Sequence, residues 1–358
     1  MQEIFNIHSS VSKYSVEIEQ GGINKFIEKI NSEQIIIDEK VYDLWPSLKI
    51  SAPIFIRAIE QNKTLLSVAN LIESLREHGA TRDSIVIAIG GGITQDISTF
   101  CASSYMRGIK WHYAPTTLLG MVDSCIGGKS SINVGQFKNI AGNFFPPESI
   151  YIDVNFCKTL TEQQLIEGLF EAVKICYAHS EEKFNKYLSL VNLENSLYDL
   201  NFKEIVELSL KAKKHFIEED EFDNGIRLLL NFGHTFGHAI EGAGDYSIPH
   251  GIAVGLGMIS AYELSLTLGL IDANNKKANK LISHVIQMLE RVDDLSPTLE
   301  KIDMRIALEK FLSDKKHTND SLVVILYDID GNLVRKKIEK SEDNMQLILK
   351  AFNHLKGI

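Results

Sequence analysis

Short apolar runs and amphipathic stretches alternate through the first part of the chain. Tyr14 to Ile18, Gln34 to Ile37, Ala52 to Ile56 and Ser84 to Ile89 are brief and β-branched, which predicts strands. Between the last two, Thr64 to His78 carries apolar residues at helical spacing and stops at Gly79. Trp111 to Thr117 and Ser149 to Asp153 read as further strands. Strands alternating with helices predict a largely parallel, Rossmann-like sheet with ligands at the carboxyl ends of its strands. From Leu160 the period changes: EQQLIEGLFEAVKICYAHS, KEIVELSLKAKKHFIEEDEF, GIAVGLGMISAYELSLTLGL and Ala278 to Phe311 keep helical spacing. Val323 to Tyr327 and Leu333 to Ile338 flank a glycine turn and predict a hairpin, and Asp343 to Leu355 predicts a closing helix. A boundary near Thr159 to Thr161 then separates an α/β domain, residues 1–160, from a mainly helical one, residues 161–358.

Two stretches stand out against this pattern. Leu228 to Gly251 (LLLNFGHTFGHAIEGAGDYSIPHG) holds His234, His238 and His250, three of the eleven histidines within seventeen residues. In a helix His234 and His238 share a face, and imidazoles from a helix and its following loop suit a divalent metal of the zinc type, with a carboxylate from elsewhere; a helix end with capped or core histidines is the alternative. Glu171, three residues before Lys174 on the first helix of the second domain, is a candidate for that carboxylate; a surface ion pair is the alternative. The strand SIVIAI runs into Gly90-Gly91-Gly92 and a helix, a turn in which backbone N–H groups and the helix dipole favour a phosphate. A structural tight turn would look the same. The segment Leu118 to Pro147 is rich in Gly, Ser, Asn and Lys with few apolar periods, as functional loops are, and its Lys129, Lys138 and Asn139 are placed to meet an anion.

Composition narrows the classes. At 358 residues with 44% hydrophobic and 23% charged positions, the chain has the make-up of a two-domain globular protein. No run approaches a membrane span and the start lacks a secretory pattern, so it reads as cytoplasmic. Cys101, Cys125, Cys157 and Cys176 are far apart, which argues for small core residues over a zinc ribbon or disulfide framework. A net charge of −10 disfavours nucleic acid, so cations that bind an anionic substrate must be concentrated locally.

Taken in order, GGGITQD, YMRG, PTTLLGMVDSCIGGKSSIN, KN, GLFEAVK, KAKKHFIEEDEFDNGIR, LNFGHTFGHAIE and PHG resemble the 3-dehydroquinate synthase family, from about Asp38 to Lys316. The resemblance implies an N-terminal NAD-binding α/β domain and a helical metal-binding domain with the active site in the cleft between them. The implied reaction converts 3-deoxy-D-arabino-heptulosonate 7-phosphate to 3-dehydroquinate and phosphate. Oxidation at C5 by NAD makes the C6 proton acidic, phosphate leaves by β-elimination, the hydride returns, and the opened ring closes by an aldol step. The substrate's own phosphate is implied as the acceptor of the C6 proton, which asks the protein mainly to hold the substrate in place.

The same resemblance implies Glu171, His234 and His250 as ligands of zinc or cobalt. It gives the phosphate end to Lys129, Asn139, Lys316 and His238, with Arg107 arriving from the second subunit of a homodimer, the carboxylate to Arg227, and ring hydroxyls to Asp123, Lys174, Lys213 and Asn231. For NAD it implies Asp38, Glu60, Lys63, Gly91, Gly92, Asp96, Thr116, Thr117, Lys129, Lys138, Phe156 and Thr159. Three positions depart from the family pattern. A DGEQYK-like segment reads AIEQNK, the glycine before Asp96 is Gln95, close to where the cofactor is expected, and HGE is His250-Gly251-Ile252, one carboxylate short beside a metal ligand. Those departures keep other readings in view: a cyclase acting on sedoheptulose 7-phosphate or glucose 6-phosphate, a metal-dependent polyol dehydrogenase, or a degenerate NAD-binding module.

Overall fold

The computed structural model describes residues 3–135, 137–314 and 316–357. They form two compact units, described here in turn. The first runs to Thr161 and includes Asn201–Glu221; the second comprises Glu162–Leu200 and the chain from Phe222 onward.

The first unit is built on β1 (Glu3–His8), β2 (Lys13–Glu19), β3 (Gln34–Asp38), β4 (Ile54–Ile56), β5 (Ile85–Gly90), β6 (Lys110–Pro115), β7 (Ile132–Val134), β8 (Phe137–Ala141) and β9 (Ser149–Asp153). Seven of these form one sheet among the described residues, in the order β1-β2-β9-β6-β5-β3-β4. Only β1 and β2 pair antiparallel, with Glu3 opposite Ile18; the remaining pairings are parallel. In central β5, Val86, Ile87, Ala88 and Ile89 are all fully buried, which is why SIVIAI is continuously apolar and does not alternate. Edge-proximal β2 does alternate, burying every second residue. Because β3, β4, β5, β6 and β9 run the same way, the turns that follow them gather along one sheet edge.

Two sequence expectations are corrected in this unit. The helix Phe202–Glu219 belongs here and not to the helical domain: Ser209 Oγ donates to the Val122 carbonyl at 2.9 Å, and the helix packs on β1 and β2. Its amphipathic period identified a helix but carries no mark of which core receives the apolar face. The Gly-rich segment 118–147 is also more regular than its composition suggests. It contains a helical turn, Gly120–Ser124, and the hairpin of β7 and β8, with Val134 opposite Phe137. Val134, Phe137 and Ile140 are exposed and Ile132 alone in the two strands is buried, too little to impose an alternating pattern.

The second unit contains the helices Glu162–His179, Glu181–Leu190, His234–Ala243, His250–Thr267, Lys276–Leu289, Leu295–Lys301, Met304–Leu312 and Glu342–His354, with a hairpin of β10 (Ser321–Tyr327) and β11 (Leu333–Glu339). His250–Thr267 is buried almost all round from Gly251 to Tyr262, as a core helix should be. It lies against His234–Ala243 at backbone distance: a Cβ on Gly257 would stand 2.0 Å from the Gly233 carbonyl oxygen. The four cysteines are buried and unpaired, the small core residues the sequence suggested. No described helix is long and apolar enough to cross a membrane.

Burial pulls His284 down to about 4, and its Nε2 has no hydrogen-bond partner. A histidine with a depressed folded-state pKa binds its proton more readily when unfolded, so its contribution is lost as pH falls from 6.5 toward 4. At pH 5 that amounts to about 2 kcal/mol. Urea unfolding at pH 7 and pH 5 should therefore show His284→Leu losing about 2 kcal/mol less than the wild type over that interval; an equal loss would refute the assignment.

Candidate metal and cofactor sites

In the helical unit, His234 opens the helix His234–Ala243 behind Gly233, whose φ of 78° places it in the left-handed region. His250 opens His250–Thr267 behind Pro249. Glycines let the two helices approach, so both histidines are carried on a tightly packed pair. His234 Nε2 lies 3.5 Å and His250 Nε2 3.6 Å from Glu171 Oε1. The other nitrogen of each ring is occupied: His234 Nδ1 faces the Phe232 carbonyl at 3.2 Å, and His250 Nδ1 faces Glu241 Oε2 at 3.3 Å. That arrangement turns both Nε2 atoms toward Glu171, as metal-ligating histidines require.

Glu171 is fully buried. Lys174 Nζ contacts its Oε2, while Oε1 receives no hydrogen bond from the described residues. An unsatisfied buried carboxylate oxygen is costly, and a divalent cation between it and two imidazoles would remove the cost. Burial, then the charge of Lys174, holds His234 well below the usual histidine range, in the neutral form that ligates. Burial also pulls His250 down, but the Glu241 hydrogen bond and the charges of Glu241 and Glu171 outweigh it and raise the net value. The donor set fits a zinc-type ion.

His238 joins the group geometrically, since one ring nitrogen from each of His234, His238 and His250 lies within 4.8 Å of the others. Its ring stacks on His250 at 5.5 Å but is exposed, unlike the fully buried Glu171. Of the two possible sets, the one containing Glu171 better accounts for the orphaned oxygen.

Two carboxylates escaped the sequence reading. Glu241 orients His250, and Glu167 Oε2 accepts from the Gly251 N–H at 3.5 Å. Burial pushes Glu167 up to about 7. Both were within reach of periodicity: Glu167 is one turn before Glu171, and Glu241 two turns beyond His234. They stand where Ile252, fully buried, offers no charge. Arg227 is buried, Asn231 Nδ2 donates to the Leu228 carbonyl at 3.2 Å, and Lys316 Nζ lies 3.4 Å from Asp314 Oδ2.

In the α/β unit the expected cofactor residues follow the sheet's carboxyl edge. Asp38 ends β3 and caps the next helix through the Lys40 N–H at 3.2 Å; burial raises it above the usual carboxylate range. Gly91 follows β5 and permits close approach, since a Cβ there would meet Thr117 Cγ2 at 2.9 Å; Gly92 has open space to 3.9 Å. Thr116 N–H donates to the Gly90 carbonyl at 3.0 Å, and Thr117 Oγ1 accepts from Gly120 N–H at 3.1 Å. Phe156 is buried edge-on to Trp45, whose Nε1 donates to Thr159 Oγ1 at 3.0 Å. Phe156 is thus part of the core, whereas Thr159 is exposed.

A polar network joins the hairpin to this edge. Buried Lys63 places Nζ 3.0 Å from Asp96 Oδ2 and 2.7 Å from Asn139 Oδ1. Ser131 N–H donates to Asp96 Oδ1 at 2.9 Å, and burial raises Asp96 despite Lys63. Glu60 Oε1 accepts from Asn133 Nδ2 at 2.8 Å and lies 3.4 Å from Lys138 Nζ. Lys129 lies over the Phe144 ring at 5.9 Å, and Arg107 is exposed at a left-handed φ of 72°. Lys213 Nζ lies 2.8 Å from Asp123 Oδ1. Gln95 turns its side chain inward onto Ser124, whose Oγ lies 3.9 Å from where a Cβ on Gly92 would stand.

Residues 53–167 match the family description 3-dehydroquinate synthase N-terminal, and residues 168–317 match 3-dehydroquinate synthase C-terminal. A 3-dehydroquinate synthase from Campylobacter concisus (strain 13826) is 36% identical over 291 residues, covering 81% of each chain. Another from Clostridium tetani (strain Massachusetts / E88) is 36% identical over 338 residues, 90% of this chain and 86% of that one. The chain belongs to the 3-dehydroquinate synthase family. Among solved structures, 2-epi-5-epi-valiolone synthase from Streptomyces hygroscopicus subsp. jinggangensis 5008, with NAD+ and Zn2+ bound, superposes with a TM-score of 0.81 at 23% identity, covering 98% of both chains. A 2-deoxy-scyllo-inosose synthase complexed with carbaglucose-6-phosphate, NAD+ and Co2+ gives 0.80 at 22% identity over 98% of this chain and 99% of that one. At such identities the likeness establishes the fold.

For this member of the family, Gly251 is the position beside His250 where a small change meets fixed main chain. A Cβ there would lie 2.5 Å from Glu167 Cα, which is backbone and cannot rotate aside. Gly251→Ala should cost about 1–3 kcal/mol, read as a lowered thermal midpoint; an unchanged midpoint would show that the helices are not in contact there.

Proposed function

We propose that this protein is a 3-dehydroquinate synthase, eliminating phosphate from 3-deoxy-D-arabino-heptulosonate 7-phosphate and closing the carbocycle, with NAD and a divalent metal. The observation that carries the chemistry is the orphaned Oε1 of Glu171 facing two imidazole Nε2 atoms. Glu171, His234 and His250 would hold the ion, a three-ligand set that leaves positions open for substrate oxygens. When bound, NAD takes and returns the hydride and the metal polarises the hydroxyl being oxidised.

The chain's own groups bind and orient. Glu241 fixes His250 through its Nδ1, and Lys174 neutralises the second oxygen of Glu171. Burial of Arg227 favours a planar bidentate grip on the substrate carboxylate. The family pattern further assigns Lys129, Asn139, Lys316 and His238 to the phosphate, with Arg107 contributed by the partner in a homodimer. It assigns ring hydroxyls to Asp123, Lys174, Lys213 and Asn231. Asp38, Glu60, Lys63, Gly91, Gly92, Asp96, Thr116, Thr117, Lys138, Phe156 and Thr159 line the NAD site in this reading, supported by their place along the carboxyl edge of the sheet.

Phosphate release is expected from 3-deoxy-D-arabino-heptulosonate 7-phosphate with NAD and zinc, and 3-dehydroquinate as product. Release from sedoheptulose 7-phosphate alone would overturn the substrate assignment. Metal analysis separates the ligand roles: His234→Ala, His250→Ala and Glu171→Gln should lose bound metal, whereas His238→Ala should keep it and lose turnover by about 100-fold or more. Equal metal loss in His238→Ala and His234→Ala would place His238 among the ligands.

A further inference from the structure

Gln95 lies in the first turn of the helix Gly92–Ser104, directly beyond the glycine cradle, and is 3% exposed. Its carboxamide spends both polar atoms on one residue. Nε2 donates to the Ser124 carbonyl at 2.7 Å, and Oε1 accepts from Ser124 Oγ at 2.7 Å. Ser124 closes the turn Gly120–Ser124, which is wound wider than an α-helix, with Cys125 N–H donating to the Gly120 carbonyl at 3.1 Å. Such wide turns are uncommon and need holding.

The neighbour of Ser124 is Asp123. On its other side Lys213 Nζ meets Asp123 Oδ1 at 2.8 Å and the Ile126 carbonyl at 3.1 Å, and also contacts the Asp123 carbonyl. The turn is thus held from one flank by the helix of Lys213 and from the other by Gln95. A carboxamide matches this partner, since Ser124 presents one acceptor and one donor and an ionised carboxylate could answer only the donor.

We propose that Gln95 is a positioning residue that ties the glycine cradle to the turn bearing Asp123, so that its loss is felt by the substrate and not by the cofactor. This rests on the proposed function, in which Asp123 and Lys213 hold ring hydroxyls. The clasp makes the residue that replaces the family's glycine a part of the substrate site at second hand.

The test compares the full-length protein with Gln95→Met, which keeps the volume and removes both polar atoms, with Ser124→Ala, and with the double variant. Each single change should raise KM for 3-deoxy-D-arabino-heptulosonate 7-phosphate about 10-fold while the NAD dissociation constant stays within about 2-fold, and the double variant should be no worse than the poorer single. Unchanged KM, an equal loss of NAD affinity, or additive effects would each overturn the proposal. If the wild type does not turn this substrate over, the proposed function fails and amide hydrogen exchange decides the clasp: faster exchange in residues 120–126 of Gln95→Met supports it, and unchanged exchange there refutes it.

Discussion

The buried carboxylate of Glu171 sets the terms for the helical unit. A fully buried acid without compensation would destabilise the fold, and here compensation comes from unlike sources on its two oxygens: Lys174 on one, the imidazole pair on the other. Only the first is a hydrogen bond. The helix Glu162–His179 therefore brings into the core a charge whose balance is completed by whatever sits between His234 and His250. Glu241 and Glu167 extend this outward by fixing a ring nitrogen and the second N–H of the neighbouring helix.

The α/β unit works by a different economy of structure. Its sheet does not place a dominant charge; it places a row of strand ends. Asp38, Gly91, Thr116 and Phe156 are far apart in sequence and share an edge because β3, β5, β6 and β9 are parallel. The Lys63–Asp96–Asn139 network then binds the hairpin of β7 and β8 to that edge. A glycine-rich segment that looked irregular is ordered chiefly by polar contacts, which suits a surface meant to exchange those contacts for a ligand's.

Much of this was legible in the sequence, for physical reasons that differ by element. Central strands such as SIVIAI announced themselves because burial on both faces demands an unbroken apolar run, and His234 and His250 because imidazoles beside glycines are rare. The helix Phe202–Glu219 was found but misassigned, since amphipathicity encodes a face and not its recipient. The β7–β8 hairpin was missed because exposed strands carry no alternation. Glu167 and Glu241 were missed because a carboxylate on a helix is ordinarily solvated, and only the fold turns these two inward. Gln95 was noticed as a departure, but its direction could not be read from its identity.

The glycine seam between His234–Ala243 and His250–Thr267 limits how the proposed metal site can change. Gly237 and Gly257 bring main chain against main chain, and Gly233 packs on the Val254 carbonyl with Met258 Cγ beside it. The spacing of the two histidines is therefore a property of the polypeptide backbone, insensitive to drift in the surrounding core. Adaptation to an ion of another size has to come from the carboxylate, on a separate helix, or from the identity of the donors. The seam acts as a fixed gauge against which Glu171 or the donors themselves would have to change.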